Sequence, residues 1–220
     1  DIVSTDDNST LSVFLGIGDG TFKARLSIDQ GTFQQQVNTG DFNEDGIVDL
    51  VSAASDGLWV SLGHGDGTFK AGLNLAGDGS KGIEVGDFNG DGFEDMIVGA
   101  PKASPYSRDN AGSAFIIYGS AGNDIPLEIK LSQKGIYPFT EIYGANPGDQ
   151  CGIIVSDAGD FNADTFSDVL ISCYPAEANF LTASGSAYLI YGGSNISFID
   201  LASLQKHQGF SIYGASSYDY

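Results

Sequence analysis

With 220 residues, 29 acidic side chains against 9 basic ones and a formal charge of -20, the chain is ill suited to nucleic acid or to anionic membrane surfaces, and cations are its natural counterparts. Glycine (31), phenylalanine (14) and tyrosine (10) are plentiful while good helix formers are scarce, which excludes a mainly helical protein and favours short strands joined by tight turns. No apolar run approaches the ~20 residues that span a bilayer, so no direct membrane insertion is expected in this segment, and the chain reads as mature or trimmed.

In chain order, "DIVS" at Asp1 returns as "DLVS" at Asp49, which sets Asp1 at the closing position of a unit whose earlier part is absent. "SVFLGIGDGTFKA" from Ser12 returns as "WVSLGHGDGTFKA" from Trp59; Asp19 and Asp66 in these stretches read as turn residues. An acidic stretch then occurs three times: "GDFNEDGIVDL" from Gly40, "GDFNGDGFEDM" from Gly86 and "GDFNADTFSDVL" from Gly159. "GSAFIIYGS" from Gly112 matches "GSAYLIYGG" from Gly185, and "FTEIYGANPGDQ" from Phe139 echoes "FSIYGASSYDY" from Phe210.

Short apolar runs flank the acidic stretches, at 83–85 and 96–98 and again at 153–155 and 169–172, and read as hairpins closed by an acidic loop. Third strands are expected at 58–62, 114–118 and 187–191, fourth strands near 69–75, 128–131 and 198–201, and a short helical turn within 201–208. Four antiparallel strands per unit make an all-β chain of propeller blades, here an incomplete β-propeller. The periods are 1–40 (partial), 41–86, 87–159 and 160–220 (lacking its end), in a single domain.

Oxygen-bearing side chains this closely spaced repel unless a cation sits among them. Positions 1, 3 and 5 of each loop offer side-chain oxygens, position 7 a main-chain carbonyl and position 9 a closing carboxylate. The sets are Asp41, Asn43, Asp45, Ile47 and Asp49; Asp87, Asn89, Asp91, Phe93 and Asp95; and Asp160, Asn162, Asp164, Phe166 and Asp168. An irregular all-oxygen shell suits Ca2+ better than Mg2+, so three calcium sites are expected. An EF-hand is excluded, because position 12 is Ser52, Val98 or Ile171 rather than Glu and the flanks are β-rich. The plainer alternative is that Asp, Asn and Gly cluster only because they turn well; three copies in one register weigh against it. Thr165 stands where the other loops have glycine, and a β-branched residue at positive φ is strained, so the third loop is expected to bind weakest.

The loops, together with "IVGAP" at 97–101 and "YGANPGDQCG" from Tyr143, resemble the FG-GAP repeats of the integrin α-subunit propeller, and "LGHGDGTF" from Leu62 resembles the related VCBS repeat. The resemblance covers nearly the whole chain. It implies calcium bound at one edge of each blade, stiffening the hairpin through the ligand positions just named. Thr165 and "SCYP" at 172–175, where Gly-Ala-Pro is the family pattern, depart from it.

The expected function is therefore a calcium-rigidified extracellular or cell-surface propeller. It presents loops such as 102–110 for adhesion to a protein or glycan ligand, or for assembly with copies of itself. The alternatives are the propeller domain of a secreted polysaccharide-degrading or phospholipase-type enzyme, and a structural spacer. His64 and His207 have no catalytic partner in sequence, and no enzyme activity is expected of this segment. Phe42, Phe88 and Phe161 are expected to pack between blades. Cys151 and Cys173 flank the third loop, either as a disulfide or as two buried thiols, and Asn8 and Asn195 head sequons for N-linked sugar.

Overall fold

The computed structural model describes residues 1–5, 10–29, 34–54, 57–70, 72–74, 82–120, 139–174, 184–194, 196 and 198–215. Strands β1 (Ile2–Thr5), β2 (Thr10–Phe14) and β3 (Leu26–Asp29) form a first antiparallel sheet. The second takes β4 (Gln34–Gly40), β5 (Asp49–Ala54), β6 (Gly57–Ser61) and β7 (Leu73–Asn74) in that order. The third starts with β8 (Ile83–Gly86), β9 (Asp95–Ala100), β10 (Ser113–Ile117) and β11 (Phe139–Tyr143). In the fourth, β12 (Ile154–Gly159), β13 (Asp168–Cys173) and β14 (Ser186–Ile190) are followed in sequence by β15 (Phe198–Asp200), which belongs elsewhere, and then by β16 (Gly209–Tyr213) at the sheet's edge. Among the described residues there are no α-helices, and the repeats have become four side-by-side sheets of meandering strands.

The reason lies in which strands are apolar on both faces. β5 and β9 are buried along their whole length, because each sheet has a neighbour on either side. Leu11, Val13 and Leu50 form the core between the first and second sheets. Phe42, Val51, Val60, Ile83 and Met96 fill the space between the second and third, and Phe88, Ile97, Ile142, Val169 and Ile190 the space between the third and fourth. Each such side chain contributes roughly 1.5–3 kcal/mol by leaving water. Every acidic stretch joins the first strand of its sheet to the second, with register partners Gly40 and Asp49, Gly86 and Asp95, Gly159 and Asp168 at the hairpin base.

Three expectations are corrected. The fourth strand of the third sheet is β11 at 139–143, paired to β10 from Phe139 opposite Ile117 to Tyr143 opposite Ser113; 128–131 lies outside the described residues. The fourth strand of the last sheet is β16, and 198–200 instead runs parallel to β11 of the preceding sheet, Ile142 opposite Ile199. There it covers a sheet edge that would otherwise expose unpaired main-chain groups. Phe161 is 61% exposed whereas Phe42 and Phe88 are 1% and 0% exposed, because its sheet is the last of the described ones and no further sheet covers it. Of 69–75, Leu73–Asn74 is strand and Phe69 makes an isolated bridge to Gly63. A single 3-10 turn, Leu201–Ser203, occupies the start of 201–208, its first turn capped by the Asp200 side chain.

Candidate metal centre

Each acidic loop folds around its own side chains. In the first, Asp41 accepts from the main-chain N–H groups of Asp45 and Gly46 (3.2 and 2.9 Å), Asn43 Oδ1 from Asp45 N–H (3.2 Å), and Asp45 from Ile47 N–H (2.9 Å). The second keeps this pattern except that position 4 replaces position 5 as a donor to position 1: Asp87 accepts from Gly90 and Gly92 (2.7 and 3.0 Å), Asn89 from Asp91 (2.9 Å), and Asp91 from Phe93 (2.9 Å). The third repeats the first: Asp160 accepts from Asp164 and Thr165 (both 2.9 Å), Asn162 from Asp164 (3.0 Å), and Asp164 from Phe166 (3.0 Å). In all three the amide of position 3 donates to the second oxygen of position 5. The side chains of positions 1, 3 and 5 thus turn inward together, and the main chain wraps them.

Position 9 does something further. Asp49, Asp95 and Asp168 are fully buried, and both oxygens of each are engaged by main-chain N–H groups. One oxygen receives the N–H of position 2: Phe42 (3.2 Å), Phe88 (2.9 Å) and Phe161 (2.9 Å). The other receives the glycine that leaves the third strand: Gly63 (2.8 Å), Gly119 (2.9 Å) and Gly192 (2.9 Å). Asp1 makes the same bond to Gly16 at 2.7 Å, so it holds position 9 in the first sheet. One carboxylate therefore locks the start of the loop, its end and a neighbouring strand. Burial pushes these carboxyls up, Asp95 to about 7, against the downward pull of the same amides, and the position 5 aspartate of each loop, joined by that of position 1 in the first two, adds a smaller upward push.

The partner glycine is the residue that sequence reasoning missed. A Cβ on Gly63, Gly119 or Gly192 would lie 2.3, 2.4 or 2.3 Å from the carbonyl oxygen of position 8, which is Val48, Glu94 or Ser167. The signal was the glycine that ends each aligned third strand, in "FLG", "SLG" and "YG". Position 4 was missed as well. It takes the left-handed region in every loop, at φ 54 in Glu44, 74 in Gly90 and 62 in Ala163, and position 6 does so at φ 78 in Gly46, 90 in Gly92 and 80 in Thr165. The second loop has glycine at both positions, the first at one and the third at neither.

Among the described residues, no group of three or more His, Cys, Asp or Glu side chains is arranged to hold a metal by itself. The loops offer a mixed set of carboxylate, side-chain amide and main-chain carbonyl oxygens. With no nitrogen or sulfur ligand in it, this set fits a hard cation.

Elsewhere, Cys151 and Cys173 form a disulfide, tying the approach to β12 to the end of β13. His64 and His207 are both exposed. Asp19 and Asp66 each accept from the N–H and hydroxyl of a threonine two residues on, and these bonds hold both carboxyls below the usual range. Asn8 and Asn195 lie outside the described residues. In the 102–110 loop, Tyr106, Ser107 and Asn110 take positive φ (51, 62 and 50). Arg108 anchors this loop through two bonds to Asp200 (2.7 and 2.6 Å) and one to the Gly144 carbonyl (2.7 Å).

Comparison with known proteins agrees with the repeat pattern. An FG-GAP-like repeat matches residues 1–52 and again 41–98, and an FG-GAP repeat matches 82–117. The chain is 33% identical over 96 residues to phosphatidylinositol-glycan-specific phospholipase D of Mus musculus, a match covering 44% of this chain and 11% of the mouse protein.

Proposed function

The chain belongs to the FG-GAP repeat family, whose repeats build β-propeller interaction modules, and from that premise we propose that it is a calcium-stiffened extracellular module for binding a protein or glycan partner. The observation that supports the metal is the threefold recurrence of one local bonding pattern, in which the position 1 carboxylate accepts from the position 6 amide and the side chains of positions 3 and 5 accept from the amides two residues on. Asp41, Asp45, Asp87, Asp91, Asp160 and Asp164 would supply carboxylates, with the position 3 asparagines, the carbonyls of Ile47, Phe93 and Phe166, and the position 9 aspartates completing each shell. The ion supplies charge compensation, and the chain supplies rigidity at one end of every hairpin. The 102–110 loop, fixed by Arg108, presents Tyr106 at 64% exposure and is the adhesive element of this reading. The segment itself is then a non-catalytic module at the cell surface, in contact with a ligand or with other copies.

Calorimetric titration with calcium, paired with a thermal melt, tests it. Three sites and a clear rise in melting temperature are expected; no heat and no shift would overturn the metal reading. The match to the mouse phospholipase D favours a second reading, in which this segment is a propeller attached to a catalytic domain of a secreted enzyme. Binding of a surface protein or glycan without turnover by the full-length protein supports the first reading, and lipid or glycan hydrolysis by it supports the second.

A further inference from the structure

Position 8 gives no ligand in the calcium reading, and its three occupants differ: Val48, Glu94 and Ser167. In space, position 8 of one loop meets position 1 of the loop before it. The Glu94 carboxylate leaves its own loop and accepts the main-chain N–H of Asp41 at 2.6 Å. Ser167 N–H donates to the carbonyl of Asp87 at 3.3 Å. Gly40 permits the first approach, since a Cβ there would lie 2.6 Å from Glu94 Oε2. The second contact is reinforced by the Phe166 ring, which a Cβ on Gly90 would meet at 2.5 Å, and by Gly193 N–H donating to the Phe88 carbonyl at 3.0 Å. Val48 is 57% exposed, with no acidic loop before its own among the described residues.

We infer that the loops at 41–49 and 87–95 take up calcium as a coupled pair, with Glu94 as the positioning residue that passes the closure of the second loop to the first. The inference rests on the calcium reading above. Glu94 lies between Phe93 and Asp95, which hold positions 7 and 9, so fixing those two residues leaves its main chain little freedom and delivers its carboxylate to the Asp41 amide. There it fixes the entry to the first loop at the residue that bears the first ligand. It also brings negative charge toward that loop, which favours a cation. Linkage makes the effect reciprocal: filling the first loop tightens the second by the same factor. Because Glu94 is exposed, the expected coupling is that of one charge-assisted hydrogen bond in water, roughly fivefold in affinity.

The test uses the amides of Gly46 and Gly92, which donate to the position 1 carboxylates of their own loops at 2.9 and 3.0 Å and so report each loop separately in a calcium titration followed by NMR. Asp91→Ala disables the second loop and should raise the calcium midpoint of Gly46 roughly fivefold. In a Glu94→Gln background, Asp91→Ala should leave that midpoint where Glu94→Gln alone has put it. Glu94→Gln is an exposed, conservative change, and by itself should raise the Gly46 midpoint even if Asp91→Ala folds poorly. A Gly46 midpoint indifferent to both substitutions overturns the coupling while leaving calcium binding intact. Wild-type amides of Gly46 and Gly92 that both ignore calcium overturn the calcium reading and the coupling with it.

Discussion

The second and third acidic loops share a ligand register but not a setting. In the second, Phe88 is sealed in the core between two sheets, and Gly90 and Gly92 occupy the two left-handed positions. In the third, Phe161 stands 61% exposed against Phe210, and Ala163 and Thr165 hold those positions at φ 62 and 80. Each non-glycine residue there costs about 1 kcal/mol. The difference shows that register sets the recurring loop hydrogen bonds, whereas glycine placement and the neighbouring sheet decide how cheaply the loop holds that shape. The calcium affinities should therefore rank second loop, first loop, third loop.

The sharpest way to break the comparison is at position 9. Asp95→Ala strands the buried N–H groups of Phe88 and Gly119 and should cost about 3–5 kcal/mol in chemical denaturation. Asp168→Ala, whose loop is more open, should cost less. Equal losses would mean that the neighbouring sheet adds nothing. Next comes the pair Phe88→Ala and Phe161→Ala: about 3–5 kcal/mol for the buried ring against about 1 kcal/mol or less for the exposed one. Removing the bridge beside the third loop, by Cys151→Ser with Cys173→Ser, should destabilise by about 2–4 kcal/mol, read from the thermal melt against wild type with its disulfide intact.

A gentler change runs the other way. Thr165→Gly relieves a left-handed β-branched residue and should tighten calcium at the third loop roughly fivefold, with about 1 kcal/mol of added stability. The smallest effect lies away from the loops. The Arg108 bonds hold the Asp200 carboxyl below its ordinary value. A depressed carboxyl pKa contributes stability that is complete above the ordinary carboxylate range and is lost as pH falls through the folded value. Asp200→Asn should therefore lower stability modestly at neutral pH and lose progressively less as pH falls through the carboxylate range, so that the acid limb flattens; a profile unchanged at neutral pH would show that the pair is idle.

Much of this comparison was legible in the sequence because the loop and its two strands are local. Asp87 through Asp95 carry the ligand spacing, and the apolar runs at 83–85 and 96–98 carry the hairpin. Position 6 was readable where Gly46 and Gly92 recur, but position 4 was hidden, because Glu44 adopts the same left-handed conformation as Gly90 without resembling it. What failed was long-range. Nothing near 198–200 announces a parallel partner on another sheet, and β16 was recognisable only through its echo of β11. The bond from Asp41 to Glu94 joins residues of different blades, so neither loop read alone predicts it. The exposure of Phe161 likewise depends on what lies beside its sheet.

The central claim is that each inward-turned loop closes on one calcium ion. Crystals grown with calcium and measured for anomalous scattering test it most directly. Three peaks are predicted, one within each of 41–49, 87–95 and 160–168, with the 160–168 peak the first to fade as calcium is lowered. Loops that keep their shape with no peak at millimolar calcium would contradict the account.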